Sequence, residues 1–208
     1  MKGRFITFEG IDGSGKTTQL RSLEAFLRAS GHDVVITCEP GGTPLGRRLR
    51  AAFLESDATV SPLAELLLFA ADRAQHVEHL IRPSLAEGKI VISDRYADAT
   101  EAYQGGGRGF DADLIAEVIE LATGGLKPDL TLFFDIPVET AFKRMANRHA
   151  ASRANRMDGE TAEFYSSVRR AYLAIADREP ERFRVVDGTR GVAEIEEDVR
   201  QVVGKLLN

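Results

Sequence analysis

The chain has 208 residues, 43% hydrophobic and 28% charged, enough apolar content for the core of one substantial domain. Acidic residues outnumber basic ones by 32 to 27, and the net charge of -5 argues against a chain-wide footprint for a nucleic-acid polymer or an anionic membrane. No apolar run approaches the roughly 18 residues of a membrane span, and the single cysteine, Cys38, excludes an intrachain disulfide and points to a reducing, cytoplasmic setting.

Met1-Lys2-Gly3-Arg4 leads straight into the first apolar run, at 5–8, with no signal-peptide pattern. After Gly15, Leu20, Leu23 and Leu27 fall on one helical face. A second run occupies 34–37. Ser61-Pro62 then reads as a cap and first-turn pair for a helix whose apolar stripe is Leu63, Leu66, Leu67, Ala70, Ala74 and Val77. Further runs follow at 90–92, 130–134 and 183–186, and a last helix carries Val192, Ile195, Val199, Val202 and Leu206 on one stripe. The five runs are too short for helices and read as strands buried on both faces. Their alternation with helices predicts an α/β fold, a doubly wound five-stranded parallel sheet spanning 1–208 as one domain. In such sheets ligands gather beyond the carboxyl ends of the strands, which directs attention to the residues just after each one.

The first such segment is Gly10-Ile11-Asp12-Gly13-Ser14-Gly15-Lys16-Thr17, which fits the phosphate-loop pattern G-x-x-x-x-G-K-[ST]. Chance produces that pattern in roughly one chain in a hundred of this length, but here it also follows a strand and opens a helix. Glycines let backbone amides converge on phosphate oxygens, and the helix N-terminus adds positive potential. Lys16 suits the β- and γ-phosphates of a nucleotide, and the Thr17 hydroxyl suits Mg²⁺. Thr18 extends the same first turn. The third run ends in Ser93-Asp94, a strand-end acid of the kind found near such a metal, while Asp135 after the fourth run is a competing acid. Asp94 is preferred because Arg95 follows it and supplies a cation for a second phosphate.

Taken in order, Phe8-Glu9-Gly10, the phosphate loop, Glu39-Pro40-Gly41-Gly42-Thr43, Ala71-Asp72-Arg73-Ala74-Gln75-His76, Ser93-Asp94-Arg95-Tyr96, Tyr103-Gln104-Gly105-Gly106-Gly107-Arg108-Gly109 and Val186-Asp187-Gly188-Thr189 resemble bacterial thymidylate kinase. The resemblance runs through essentially the whole chain. It implies transfer of the ATP γ-phosphoryl group to dTMP in dTTP synthesis, and a homodimer. It places Asp12 near the dTMP sugar and phosphate, Arg95 and Arg50 on the acceptor phosphate, and Phe69, Arg73, Thr100 and Gln104 around the thymine. Tyr103 falls beside the sugar, and Glu9 joins Thr17 and Asp94 as a metal residue. The residues agree in part: Phe69 and Arg73 lie one helical turn apart, and a flat aromatic beside a planar cation suits a nucleobase. Arg47 and Arg48 crowd the same helix as Arg50, a pattern that otherwise reads as a solvated face.

Residues 147–158 hold Arg148, Arg153 and Arg156 among small residues, with Arg144 just before them. This arginine-rich stretch reads as a lid. The variable positions of the phosphate loop, Ile11, Asp12, Gly13 and Ser14, contain no arginine, so the family's lid variant is implied, with Arg153 the catalytic candidate and Arg144, Arg148 and Arg156 on the nucleotide. An arginine swung onto the transferred phosphoryl group stabilises charge spread over its oxygens; which of the four reaches it stays open. His32, His76, His79 and His149 show no metal-ligand spacing, and His76 reads as a packing or surface residue. Two other functions compete: a deoxynucleoside kinase, disfavoured by two cations suited to an acceptor phosphate, and a nucleotide switch, disfavoured by the lack of an Asn-Lys-x-Asp motif.

Overall fold

The computed structural model describes residues 2–55, 59–149 and 156–207. Strand β1 (Arg4–Glu9) runs through the glycine-rich loop into helix α1 (Lys16–Ala29), which returns to β2 (Val34–Cys38). Helices α2 (Pro44–Phe53) and α3 (Pro62–His76) follow, and α3 continues through a π-helical turn, Val77–Ile81, into α4 (Arg82–Ala86). After β3 (Ile90–Asp94), α5 (Ala97–Thr100) passes into a second π-helical turn, Glu101–Gly107, and α6 (Ala112–Thr123) leads to β4 (Leu130–Asp135). The chain ends with α7 (Val138–His149), a 3-10 turn at Arg156–Gly159, α8 (Ala162–Arg178), β5 (Phe183–Asp187) and α9 (Val192–Leu207).

All five strands are parallel, in the order β2-β3-β1-β4-β5, so β1 is central and its carboxyl end lies between those of β3 and β4. Strand alternation sends Ile6 and Phe8 of β1, Ile92 of β3 and Leu132 and Phe134 of β4 to one face. There they meet Leu20, Leu23 and Leu27 of α1 and Ile195, Val199 and Val203 of α9. On the other face Phe133 stacks on Tyr172 of α8, ring centroids 4.7 Å apart, with Tyr165, Val168 and Ile175 alongside. Helices thus cover both faces, as the strand-helix alternation predicts.

Two expectations change. Burial on both faces holds for β1, β3 and β4 but not for the edge strands: β5 leaves Val185 49% exposed and β2 is only half buried, because each has a single neighbour to pack beside. The leucine stripe of α3 is also not wholly inward. Ser61 caps the helix by accepting from the Ala64 amide as expected, and Leu66 and Val77 are buried. Leu63 and Leu67, however, are 52% and 53% exposed, while Glu65, Asp72, Arg73 and His76 are buried. The inward face of α3 is therefore polar, and its groups are held by hydrogen bonds described below rather than by apolar packing.

Candidate active site

The loop at residues 10–17 turns sharply where β1 ends. Gly10 has φ 138°, and a β-carbon there would stand 2.8 Å from the Phe134 carbonyl oxygen, so no other residue fits. Gly15 has φ 99° and caps α1, and a β-carbon built on it meets nothing within 4 Å. Open space in front of a helix N-terminus is what an anion requires. Lys16 folds over the loop, its Nζ donating to the carbonyls of Gly10 at 2.9 Å and Ile11 at 3.4 Å. Burial and the neighbouring Arg95 cation hold its ammonium below the ordinary range, with Asp94, Asp12 and Glu9 offsetting them in part. Thr17 and Thr18 are exposed on the first turn of α1.

Arg144 of α7 reaches the loop from the side, donating to the carbonyls of Gly13 at 3.3 Å and Gly188 at 3.1 Å. Arg156 goes elsewhere, donating to the Phe53 carbonyl at 3.2 Å and to the Glu65 carboxylate. Arg153, and the side chain of Arg148, lie outside the described residues.

Arg95 joins the loop to its neighbour pocket. Its guanidinium donates to the Gly10 carbonyl at 3.0 Å and to Asp12 Oδ1 at 3.1 Å, and lies 4.9 Å from the centre of the Tyr103 ring. Asp94 stands half-buried at the end of β3, with no hydrogen bond or ion pair from its carboxylate among the described residues. Glu9 is fully buried: Oε1 accepts from the Tyr96 amide and Oε2 from the Tyr172 hydroxyl, both at 2.7 Å. Burial, reinforced by Asp98, pushes its carboxyl up to about 8. Among the described residues no three His, Cys, Asp or Glu side chains form a metal cluster by themselves. Thr17 and Asp94 nevertheless fit a phosphate-bound Mg²⁺, which takes few protein ligands and keeps several waters.

Every residue expected on the acceptor side lines one cavity: Asp12, Arg50, Phe69, Arg73, Arg95, Thr100, Tyr103 and Gln104. Arg47 and Arg48 are exposed, whereas Arg50 turns inward and donates to the Pro40 carbonyl at 3.1 Å. Phe69 presses edge-on against Phe53, centroids 4.9 Å apart, which fixes its ring at the wall. Leu54, Ala99 and Met157 also line the cavity and carried no signal in the sequence.

Glu39 lines it too, and is the centre of a buried network that sequence reasoning missed. Its Oε2 accepts from Arg73 Nε and its Oε1 pairs with His76 Nδ1, both at 2.8 Å, while His76 Nε2 meets Thr37 Oγ1 at 2.6 Å. Arg73 spends two more N–H groups on Thr100 Oγ1 and the Tyr96 carbonyl, each at 2.9 Å. Its planar fork is therefore fixed on three sides, and removal of Glu39 would leave a buried, uncompensated cation. The signal lay in the helical spacing of Asp72, Arg73 and His76 and in an acid at the end of β2, but nothing local connects them.

A phosphate cradle at the end of a central parallel strand, sharing an arginine with a second cationic cavity, defines a nucleotide-phosphate kinase of the α/β class. The thymidylate kinase family model matches residues 8–199. Thymidylate kinases of Desulfosudis oleivorans and Geotalea uraniireducens are 51% and 48% identical to this chain, over 92% and 97% of it and 92% and 96% of their own lengths. The crystal structure of thymidylate kinase from Ehrlichia chaffeensis superposes with a TM-score of 0.78 at 36% identity, covering 98% of this chain and 99% of that one. The chain belongs to the thymidylate kinase family.

Asp72 gives the site wall a measurable pH signature. Its Oδ1 accepts from the Gly41 amide at 3.2 Å and its Oδ2 has no partner among the described residues. Burial, with Glu39 nearby, pushes its carboxyl from 3.8 up to about 6. A carboxyl raised on folding contributes its full stability below its unfolded value and loses it as the pH climbs through the folded one. Asp72→Asn keeps the acceptor for Gly41, so it gains on the parent protein by roughly 1–3 kcal/mol between about pH 4 and about pH 7. Urea unfolding at the two pH values measures this; a difference that does not change with pH contradicts it.

Proposed function

We propose that the chain transfers the γ-phosphoryl group of ATP to dTMP, giving dTDP and ADP, as a step toward dTTP. The observation that supports this reading is the shared cavity: eight acceptor-side residues scattered from Asp12 to Gln104 converge on one wall beside the phosphate loop. The dTMP phosphate oxygen attacks the γ-phosphorus and the bond to the β-phosphate oxygen of ADP breaks, with no covalent enzyme intermediate. Catalysis then rests on positioning and charge, without a general-base histidine.

In this reading the amides of residues 10–17, with Thr18, hold the donor phosphates, and Lys16 acts on charge developing at the γ-phosphoryl group. Arg95 and Arg50 hold the acceptor phosphate, and Asp12 sits by the sugar. Phe69 stacks on the thymine while Arg73, Thr100 and Gln104 read its edge, and Tyr103 fills the volume a ribose 2′-hydroxyl needs. Thr17 and Asp94 would hold Mg²⁺, which neutralises phosphate charge when bound. Glu9, with both oxygens engaged, suits a place behind that ion's waters better than direct ligation.

The lid at 147–158, on one domain with the sheet, supplies Arg153, with Arg148 and Arg144 on the nucleotide; Arg156 stands nearer the acceptor wall than the donor phosphates. No helix among the described residues is long and apolar enough to cross a membrane, and a cytoplasmic homodimer is proposed. The half-exposed Leu63 and Leu67 of α3 support the subunit contact, and light scattering that finds only monomers at assay concentration removes it.

Coupled ADP release across dTMP, dUMP, dCMP, dGMP and dAMP tests the assignment. dTMP ranks first in kcat/KM, dUMP follows some 10- to 200-fold lower because one methyl group separates them, and the others are poorer still. ADP release that needs no nucleotide acceptor, or thymidine turned over faster than dTMP, contradicts the assignment.

A further inference from the structure

Gln104 lines the acceptor cavity, and the group behind it decides which end of its amide faces the ligand. Glu65 of α3 is fully buried there. Its Oε1 accepts from Gln104 Nε2 at 2.8 Å and from Arg108 Nε at 3.1 Å, and its Oε2 from Arg108 Nη2 at 3.0 Å and from Arg156 Nη2. Burial works against its charge, but the hydrogen bonds from Arg108, Arg156 and Gln104 outweigh burial and hold the carboxyl below its ordinary range. Arg108 is itself fixed, donating to Glu160 Oε1 at 2.6 Å and lying 4.7 Å from the Phe164 ring centre.

An ionised carboxylate accepts and never donates. Gln104 can satisfy Glu65 only with its NH₂ group, so its carbonyl Oε1 turns the other way. No described residue donates to that oxygen, and it is not among the sealed, unpartnered polar atoms. The same reasoning fixes Thr100. Its hydroxyl accepts from Arg73 Nη1 at 2.9 Å, and a guanidinium has nothing to accept with, so the Thr100 proton remains to be donated. The cavity wall therefore offers an acceptor at Gln104 and a donor at Thr100. A pyrimidine with a protonated N3 and a 4-oxo group complements that order. Cytosine, with a bare N3 and a 4-amino group, opposes it at both positions.

We infer that Glu65 is a specificity-determining positioning residue: by holding the Gln104 carbonyl toward the cavity, it selects 4-oxo pyrimidine nucleotides against cytosine nucleotides. The inference rests on the acceptor being a pyrimidine deoxynucleoside monophosphate, as proposed above. Glu65 touches no substrate in this account and acts through Gln104 alone.

The dTMP:dCMP ratio of kcat/KM is the readout. Gln104→Met keeps the bulk and leaves Glu65 with both arginines, and the ratio falls at least about tenfold. Glu65→Gln gives Gln104 a neighbour that also donates, so the amide can turn over and the ratio falls comparably. In the double variant Glu65→Gln/Gln104→Met the ratio equals that of Gln104→Met alone, because the first residue works through the second. If Glu65 is only structural, its variant lowers both acceptors in parallel and leaves the ratio at the wild-type value, which overturns the inference, as does a double-variant ratio below that of Gln104→Met alone. Where Glu65→Gln fails to fold, Gln104→Met decides, and an unmoved ratio there overturns it. Wild-type protein that does not turn over dTMP fails the proposed function and this inference together; normal dTMP turnover with unmoved ratios fails the inference alone.

Discussion

The guanidinium of Arg95 binds the two halves of the site to each other. It does so from a backbone position that few non-glycine residues occupy, with φ 72°, directly after β3. A left-handed arginine costs on the order of 1–3 kcal/mol, and the surroundings hold it there. Its amide donates to the Phe8 carbonyl of β1 at 3.0 Å, its own carbonyl accepts from Ser93 Oγ at 2.7 Å, and the Tyr103 ring lies under its side chain. The turn aims the guanidinium back across the end of β1, onto Gly10 and Asp12. A cation placed by two strands and a helix can meet an acceptor phosphate without first reorganising, which is where electrostatic catalysis gains most.

The wall around that cation holds two buried carboxylates, each satisfied by specific partners. Glu39 joins Arg73 to His76, and Glu65 joins Gln104 to Arg108 and Arg156. Apolar residues of the same volume would hold α3 against its neighbours at less desolvation cost. What the ions supply instead is direction: a carboxylate that only accepts dictates which way an amide or a guanidinium points, and a base edge is read by that direction. The polar inner face of α3 and the exposed Leu63 and Leu67 on its outer side are two aspects of one arrangement.

Much of the fold was legible because it depends on local pattern. All five apolar runs are strands, and the glycine-rich loop sits between β1 and α1 as its chemistry demands. The eight residues that family resemblance assigns to the acceptor side all line one cavity. What escaped was non-local. Edge exposure of β2 and β5 depends on strand order, which no single segment encodes. On α3 hydrophobic periodicity selects Leu63 and Leu67, whereas burial goes to Glu65 and His76, whose partners come from other elements. Glu65 carries no local signal, because its partners Arg108 and Arg156 are distant in the chain.

The proposed division of labour gives Arg95 to the acceptor phosphate and the loop at 10–17 to the donor. Calorimetric titration of Arg95→Ala with dTMP and, separately, with an ATP analogue tests it most directly. The substitution keeps the Cβ and the left-handed backbone and removes the guanidinium with the two methylenes that carry it. dTMP affinity falls by about 1.5–3 kcal/mol, the range for a charge-assisted hydrogen bond, while affinity for the ATP analogue stays within about threefold. Equal losses for both ligands would contradict the division of labour on which the account rests.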